Sequence, residues 1–237
     1  MRSNSSVLII AVLALCIVAV YPVAAASNEA VALVATAQSL TAQGNLSAAE
    51  QAYDQAITLD PDYAEAWDGR ADILNRAHKD TADPLATLNL ALAASNRSLE
   101  INESSVKAWI NHGQILYNIG YYYQDQLNDK TTANTYYNEQ LASFEKAIAL
   151  EPDNAEAWFN KAYALCGMGR CSEGVTAFKK VQQLEPDYPY LEGNLKNAEK
   201  LADSQTPFYI KYGLDIALVV IVIIGAALWY VTIRKKN

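Results

Sequence analysis

The same phrase returns along the middle of this chain, and a chain that repeats itself at such an interval builds by stacking rather than around one central core. Ala64-Glu65-Ala66-Trp67, Val106-Lys107-Ala108-Trp109 and Ala155-Glu156-Ala157-Trp158 open three segments. Leu59-Asp60-Pro61, Leu150-Glu151-Pro152 and Leu184-Glu185-Pro186 close three. The segments 30–63, 64–105, 106–154 and 155–188 each hold two apolar-periodic stretches around a Gly- or Asp-containing break, which predicts four helix–turn–helix units. Each unit exposes an apolar stripe it cannot cover alone, so neighbours stack into a superhelix. Small residues such as Ala49, Ala71, Gly113, Ala162 and Gly174 let adjacent helices approach. Trp67, Trp109 and Trp158 are expected as core between helices, since a buried aromatic removes ~150–250 Å² from water.

The spacing resembles the tetratricopeptide repeat, whose pattern runs W-x2-L-G-x2-Y, then A-x3-F, then P, over about 34 residues. The fourth segment carries Trp158, Ala162, Leu165, Gly169, Phe178 and Pro186. In the first, Gly44, Ala49, Tyr53 and Pro61 match, with Leu33 in place of tryptophan; the third keeps Trp109, Gly113, Phe144 and Pro152. The second is the most divergent: Trp67, Ala71 and Ala91 fit, but Ser95 and Glu103 stand for the aromatic and the proline. The resemblance implies an all-α, right-handed superhelix of four repeats over 27–203, closed by a polar-faced capping helix over 190–203.

Two segments are longer than the pattern allows, 64–105 by eight residues and 106–154 by fifteen. Openings and closings stay aligned, so both additions fall between the paired helices. The reading is that both helices of both pairs lengthen and project as adjacent hairpins from one edge. Tyrosine gives large contact area at low entropic cost. Tyr121, Tyr122, Tyr123, Tyr136 and Tyr137 are therefore candidates for a partner surface; equally, they would zip the hairpin together.

In the family, the first helix of each repeat lines the concave face. The resemblance therefore implies an inner face of Glu65, Asp68, Asp72, Lys107, Asn111, Gln114, Phe159, Asn160 and Tyr163. An acidic stretch beside an aromatic one suits a peptide with basic and apolar residues; an acidic, merely solvated face is the alternative. The family's clamp for acidic chaperone tails needs Lys and Arg where Asp68, Asp72 and Glu156 stand, so that activity is not expected.

The ends differ from the middle. Met1–Ala26 has Arg2, an apolar run from Val7 to Val20, Pro22, and Ala24-Ala25-Ala26 before Ser27, as a cleaved secretory signal does; an uncleaved anchor is the other reading. Ile216–Ile233 is eighteen residues with only Gly225 and Thr232 outside the strongly apolar set. At ~1.5 Å per residue it nearly crosses a ~30 Å hydrocarbon core. Aromatics flank it, and Arg234, Lys235 and Lys236 follow, which puts the C-terminus in the cytoplasm. The expected order is a signal (1–26), the repeat domain (27–203), a linker (204–212), a transmembrane helix (213–233) and a basic tail (234–237). That order makes a single-pass membrane protein with its repeats outside the cell.

Chemistry is sparse. Residues 27–212 hold 25 acidic against 14 basic side chains, a surface that repels phosphate and argues against nucleic acid. The whole chain has two histidines and three cysteines, with no ligand spacing among them, so neither metal nor cofactor is expected, and no residue set supports catalysis. Cys166 and Cys171 flank a turn and in an oxidising compartment form either a bridge or two buried thiols. Asn45, Asn96 and Asn102 begin glycosylation sequons. These features lead to a membrane-anchored scaffold that binds proteins or peptides outside the cell and contacts the bilayer through its C-terminal helix. The alternatives are a cytosol-facing adaptor on a membrane and a structural cell-envelope glycoprotein.

Overall fold

The computed structural model describes residues 27–205. The expected signal (1–26), the membrane helix (213–233), most of the linker and the basic tail lie outside them. Among the described residues, no helix is long and apolar enough to cross a membrane.

Four antiparallel helix pairs and a closing helix follow in order: α1 (Asn28–Ala42) with α2 (Leu46–Leu59), α3 (Ala64–Ala77) with α4 (Pro84–Ile101), α5 (Val106–Asp125) with α6 (Lys130–Leu150), α7 (Ala155–Gly167) with α8 (Cys171–Leu184), then α9 (Leu191–Gln205). Their starts are set by side chains that take up free backbone N–H groups. Ser27, Asn45, Asp83, Ser105, Asp129 and Asn154 each accept from a main-chain amide of the first turn. Pro84 occupies the first turn of α4, where its missing N–H has no cost. α9 begins one residue later than expected and runs two further; Tyr190, at φ 62° and 85% exposed, turns the chain into it.

The core is continuous from pair to pair. Ala49, Ala71 and Ala162 are fully buried and Gly113 and Gly174 are buried, where helices meet closely. α1, α3 and α5 pack on one another along one face, while α2, α4, α6 and α8 form the other layer. α7 makes no comparable contact with α5.

The tryptophans are half-buried rather than enclosed, and they share a role that the sequence motif does not state. Each sits in the first turn of a pair's first helix and reaches back six residues. Trp67 Nε1 donates to Pro61 O at 2.9 Å, Trp109 to Glu103 O at 2.8 Å and Trp158 to Pro152 O at 2.7 Å. Glu103 thus supplies with its main chain what proline supplies elsewhere, which explains why the second segment tolerates its loss. Trp109→Phe keeps the ring and removes the donor, and it should lower stability by about 1 kcal/mol. Urea unfolding followed by circular dichroism checks this; an unchanged midpoint would mean the bond is incidental.

The two insertions do not behave alike. In 106–154 both helices lengthen, to 20 and 21 residues. In 64–105 only α4 lengthens, to 18; α3 keeps 14 and ends in a 3-10 turn at His78–Asp80. Polar side chains hold that turn: His78 Nδ1 lies 2.6 Å from Asn75 O, Thr81 Oγ1 donates to His78 O at 2.8 Å, and Thr87 Oγ1 reaches Thr81 Oγ1 at 2.9 Å. The expectation of two projecting hairpins is therefore corrected to one.

Candidate functional site: the inner trough

Three adjoining cavities run along the inner face. The first, ≈ 690 Å³, lies among α1, α3, α5 and the α6–α7 turn and is bordered by Asp72, Arg76, Lys107, Glu151 and Glu156. The second, ≈ 280 Å³, shares Gln114 with it and adds Asn75, Asn118 and Asn160. A third, ≈ 490 Å³, shares Tyr117, Gln140 and Tyr163 with the second and reaches α9. Charge therefore gives way to carboxamides and then to tyrosines along one surface.

The floor between α3 and α5 is a ladder of side-chain bonds. Asn111 Nδ2 donates to Asp68 Oδ1 at 2.8 Å, and one heptad further Asn118 Nδ2 donates to Asn75 Oδ1 at 2.8 Å. Lys107 Nζ caps Asp68 from the solvent side at 3.3 Å. Asp68 is 5% exposed, and burial raises its pKa above the usual carboxylate value, partly offset by Lys107 and Asn111. It is a structural acid below the trough floor rather than a ligand group on it.

The other inner-face residues divide plainly. Asp72, Lys107, Asn111, Gln114, Asn160 and Tyr163 border the trough. Asp72 is engaged by Arg76 at 2.8 Å. Glu65 is exposed on the first turn of α3 and borders none of the three cavities. Phe159 turns to the core, edge-on to Phe178 at 5.3 Å between ring centroids and 5.0 Å from Tyr188, so its assignment to the concave face is corrected. Helical pairs pack on the ring because α7 needs an apolar stripe toward α8.

The tyrosine ridge is likewise mostly a seam. Tyr123 stacks on Tyr136 at 5.6 Å, and Tyr137 lies 6.2 Å from Tyr117. The Tyr137 ring occupies the space above Gly120, where a Cβ would come within 2.7 Å of it. Tyr122 is half-buried, whereas Tyr121 is exposed and borders the third cavity. Burial raises the pKa values of Tyr117, Tyr136 and Tyr137 above the ordinary phenol.

Sequence reasoning passed over Asn75, Asn118, Glu151, Asn194 and Asn197. The first two lie seven residues after Asp68 and Asn111, so helical periodicity alone would have placed them on the same face. The α9 residues carried no such signal, because α9 was read as a polar cap.

Cys166 and Cys171 are free thiols, Cys171 Sγ donating to Cys166 O at 3.6 Å. Burial, then the Cys171 contact, pushes the Cys166 thiol up to about 12, so it is an inert neutral group at physiological pH. Among the described residues no cluster of His, Cys, Asp and Glu could hold a metal ion. Asn45, Asn96 and Asn102 are exposed, but Asn45 caps α2 and Asn102 Oδ1 accepts from Ser104 N at 3.1 Å. Ser98, the third residue of the middle sequon, is buried and donates to Ala64 O at 3.0 Å.

This arrangement defines a helical-repeat solenoid with a polar-to-aromatic inner face. Residues 37–76 match a family model described as TPR repeat, and residues 143–173 one described as tetratricopeptide repeat. No curated protein matches the sequence. Among solved structures, the chain is similar to TTC0263, a thermophilic TPR protein of Thermus thermophilus, at 17% identity and TM-score 0.59, over 80% of this chain and 87% of that one. It is also similar to Pseudomonas aeruginosa pilF, at 16% identity and TM-score 0.60 over 74% and 70%, and to MamA, at 14% and 0.52 over 74% and 83%. The two matched segments are similar to tetratricopeptide repeats in sequence, and the helical fold around them is similar to that of these solved structures.

Proposed function

We propose that this protein is a membrane-anchored scaffold whose repeat domain faces outward and whose inner trough binds an extended segment carrying basic and apolar residues. The observation that carries this reading is the continuity of the trough, with Glu151 and Glu156 exposed at one end, and tyrosines at the other. Between them Gln114 and Asn160 present carboxamides that take part in no hydrogen bond among the described residues. A carboxamide offers both donor and acceptor to a peptide main chain. The apolar run at Ile216–Ile233, its basic flank and the signal-like Met1–Ala26 support the anchoring and the orientation. Binding is passive; no chemistry is assigned to the trough.

Reversing Glu151 and Glu156 to lysine should weaken capture of a basic decapeptide by about tenfold or more at low salt, with a smaller effect at high salt. Equal affinity for both forms would remove the acidic end from the site. Orientation is read separately, by protease accessibility on intact cells with the mature N-terminus identified by mass. Digestion from outside with a start near Ser27 fits the outward scaffold. Protection with Met1 retained would make it a cytosol-facing adaptor.

A further inference from the structure

The lengthened end of α5 brings Tyr121 and Gln124 to the border of a cavity that lies between the third pair, α7 and α9. Tyr117 and Tyr121 from α5, Tyr137 and Gln140 from α6, Tyr163 from α7 and Leu201 from α9 are among the residues that border this cavity of ≈ 490 Å³. The size is that of a pocket which holds a side chain or small ligand rather than a packing defect. Among the described residues, no Asp, Glu, Lys or Arg borders it. It lies at the end of the trough opposite Glu151 and Glu156.

Gln140 distinguishes this cavity from a greasy cleft. It is 4% exposed, yet its carboxamide takes part in no hydrogen bond among the described residues, and it borders both this cavity and the carboxamide section of the trough. Every fully enclosed side-chain polar atom there is bonded, so the Gln140 amide is one that meets the cavity itself. An amide that faces such a cavity is bonded there by water, or by a ligand group that displaces the water and reproduces its bond. Rings on the walls and the nearly buried Gln140 amide, with the exposed Gln124 and Asn197 also bordering the cavity, select a flat apolar group with a polar tip.

We propose that this cavity is a specificity pocket for a tyrosine or tryptophan side chain of a basic partner segment, its polar tip hydrogen-bonded by Gln140. The proposal rests on the trough reading above. Charge complementarity sets the partner's character: the acids at the far end hold lysines or arginines, and the uncharged near end takes the aromatic anchor. Tyr163, exposed on the pocket rim, supplies the ring face the anchor meets first.

The test uses the full chain in lipid nanodiscs, panned against a random decapeptide phage library. Wild type is compared with Tyr163→Ala, Gln140→Leu and the Glu151→Lys, Glu156→Lys pair. Wild type should select basic peptides with Tyr or Trp preferred over Phe. Tyr163→Ala should weaken a selected peptide by about tenfold. Gln140→Leu should abolish the preference for Tyr over Phe, about tenfold in wild type, while keeping the affinity for the Phe form, which a collapsed pocket would not do. Basic peptides selected without any aromatic preference, or a preference unchanged in both variants, would overturn the pocket and leave the trough standing. No selection either by wild type or by a form with Phe208, Tyr209 and Tyr212 changed to serine would sink both. Selection that appears only after Phe208, Tyr209 and Tyr212 are changed to serine would assign the pocket to the chain's own C-terminal segment and overturn the partner.

Discussion

Phe144→Ala is expected to cost about 3–5 kcal/mol, a large share of the stability of a domain this size. Phe144 is 1% exposed and lies against Gly113, where a Cβ would stand 2.5 Å from its ring. The ring fills the space that the missing side chain leaves between α5 and α6. Removing it empties a site whose walls are two of the longest helices of the domain, which are poorly able to collapse. The converse change, Gly113→Val, overpacks the same space and should cost about 1–3 kcal/mol. In the Phe144→Ala background the valine should be tolerated or partly restoring, because it now has room. Urea unfolding of the four forms measures the coupling. Strict additivity would show that the two positions do not share one space.

Acidification should weaken the fold in a window set by His112. Burial holds its pKa down at about 4, against an ordinary 6.5. The unfolded chain therefore takes up the proton from pH 6.5 downward while the folded chain refuses it until about 4. Stability is whole above 6.5 and falls as pH drops through that window, by about 3 kcal/mol in total at ~1.36 kcal/mol per pH unit. Asp68 acts the other way: its raised pKa lets the folded chain take a proton first, so its contribution grows as pH falls toward 3.8. His112→Gln should flatten the urea midpoint between pH 7 and 4.5, whatever it does to stability at pH 7. A slope unchanged by the substitution would place the acid sensitivity elsewhere.

His112 also accounts for the most deviant position of the repeat pattern. Ser95 stands where the repeats otherwise carry an aromatic and is fully buried. Its Oγ lies 3.1 Å from His112 Nδ1, and the imidazole meets Trp109 edge-on at 6.0 Å. The next helix supplies the ring that the second repeat lacks. A scan along one repeat cannot see this, because the compensating residue belongs to the neighbour.

Much of the architecture was legible for a local reason. Helix starts are written in single residues such as Asp83, Ser105 and Asn154, and the alternation of apolar positions is set by 3.6 residues per turn. The pairing of helices follows from short turns. The lengthened third pair was legible too, since helix-compatible residues fill the insertion. The second insertion was not: His78, Thr81 and Thr87 hold a compact turn through side-chain bonds that propensity does not report.

By itself, then, the sequence determined a stack of helix pairs, its small-residue contacts and its acidic character, because each depends on neighbours a few positions apart. Only the tertiary structure decided which inner-face residues meet the trough. Asp68 is drawn under Asn111, forty-three residues away, and Phe159 is claimed by Phe178. Tyr137 is seated over Gly120, and Gln140 is left facing a cavity whose far wall is α9. These are choices of side-chain direction between helices, and they are settled by the volume and the polar partners that the adjoining repeat brings.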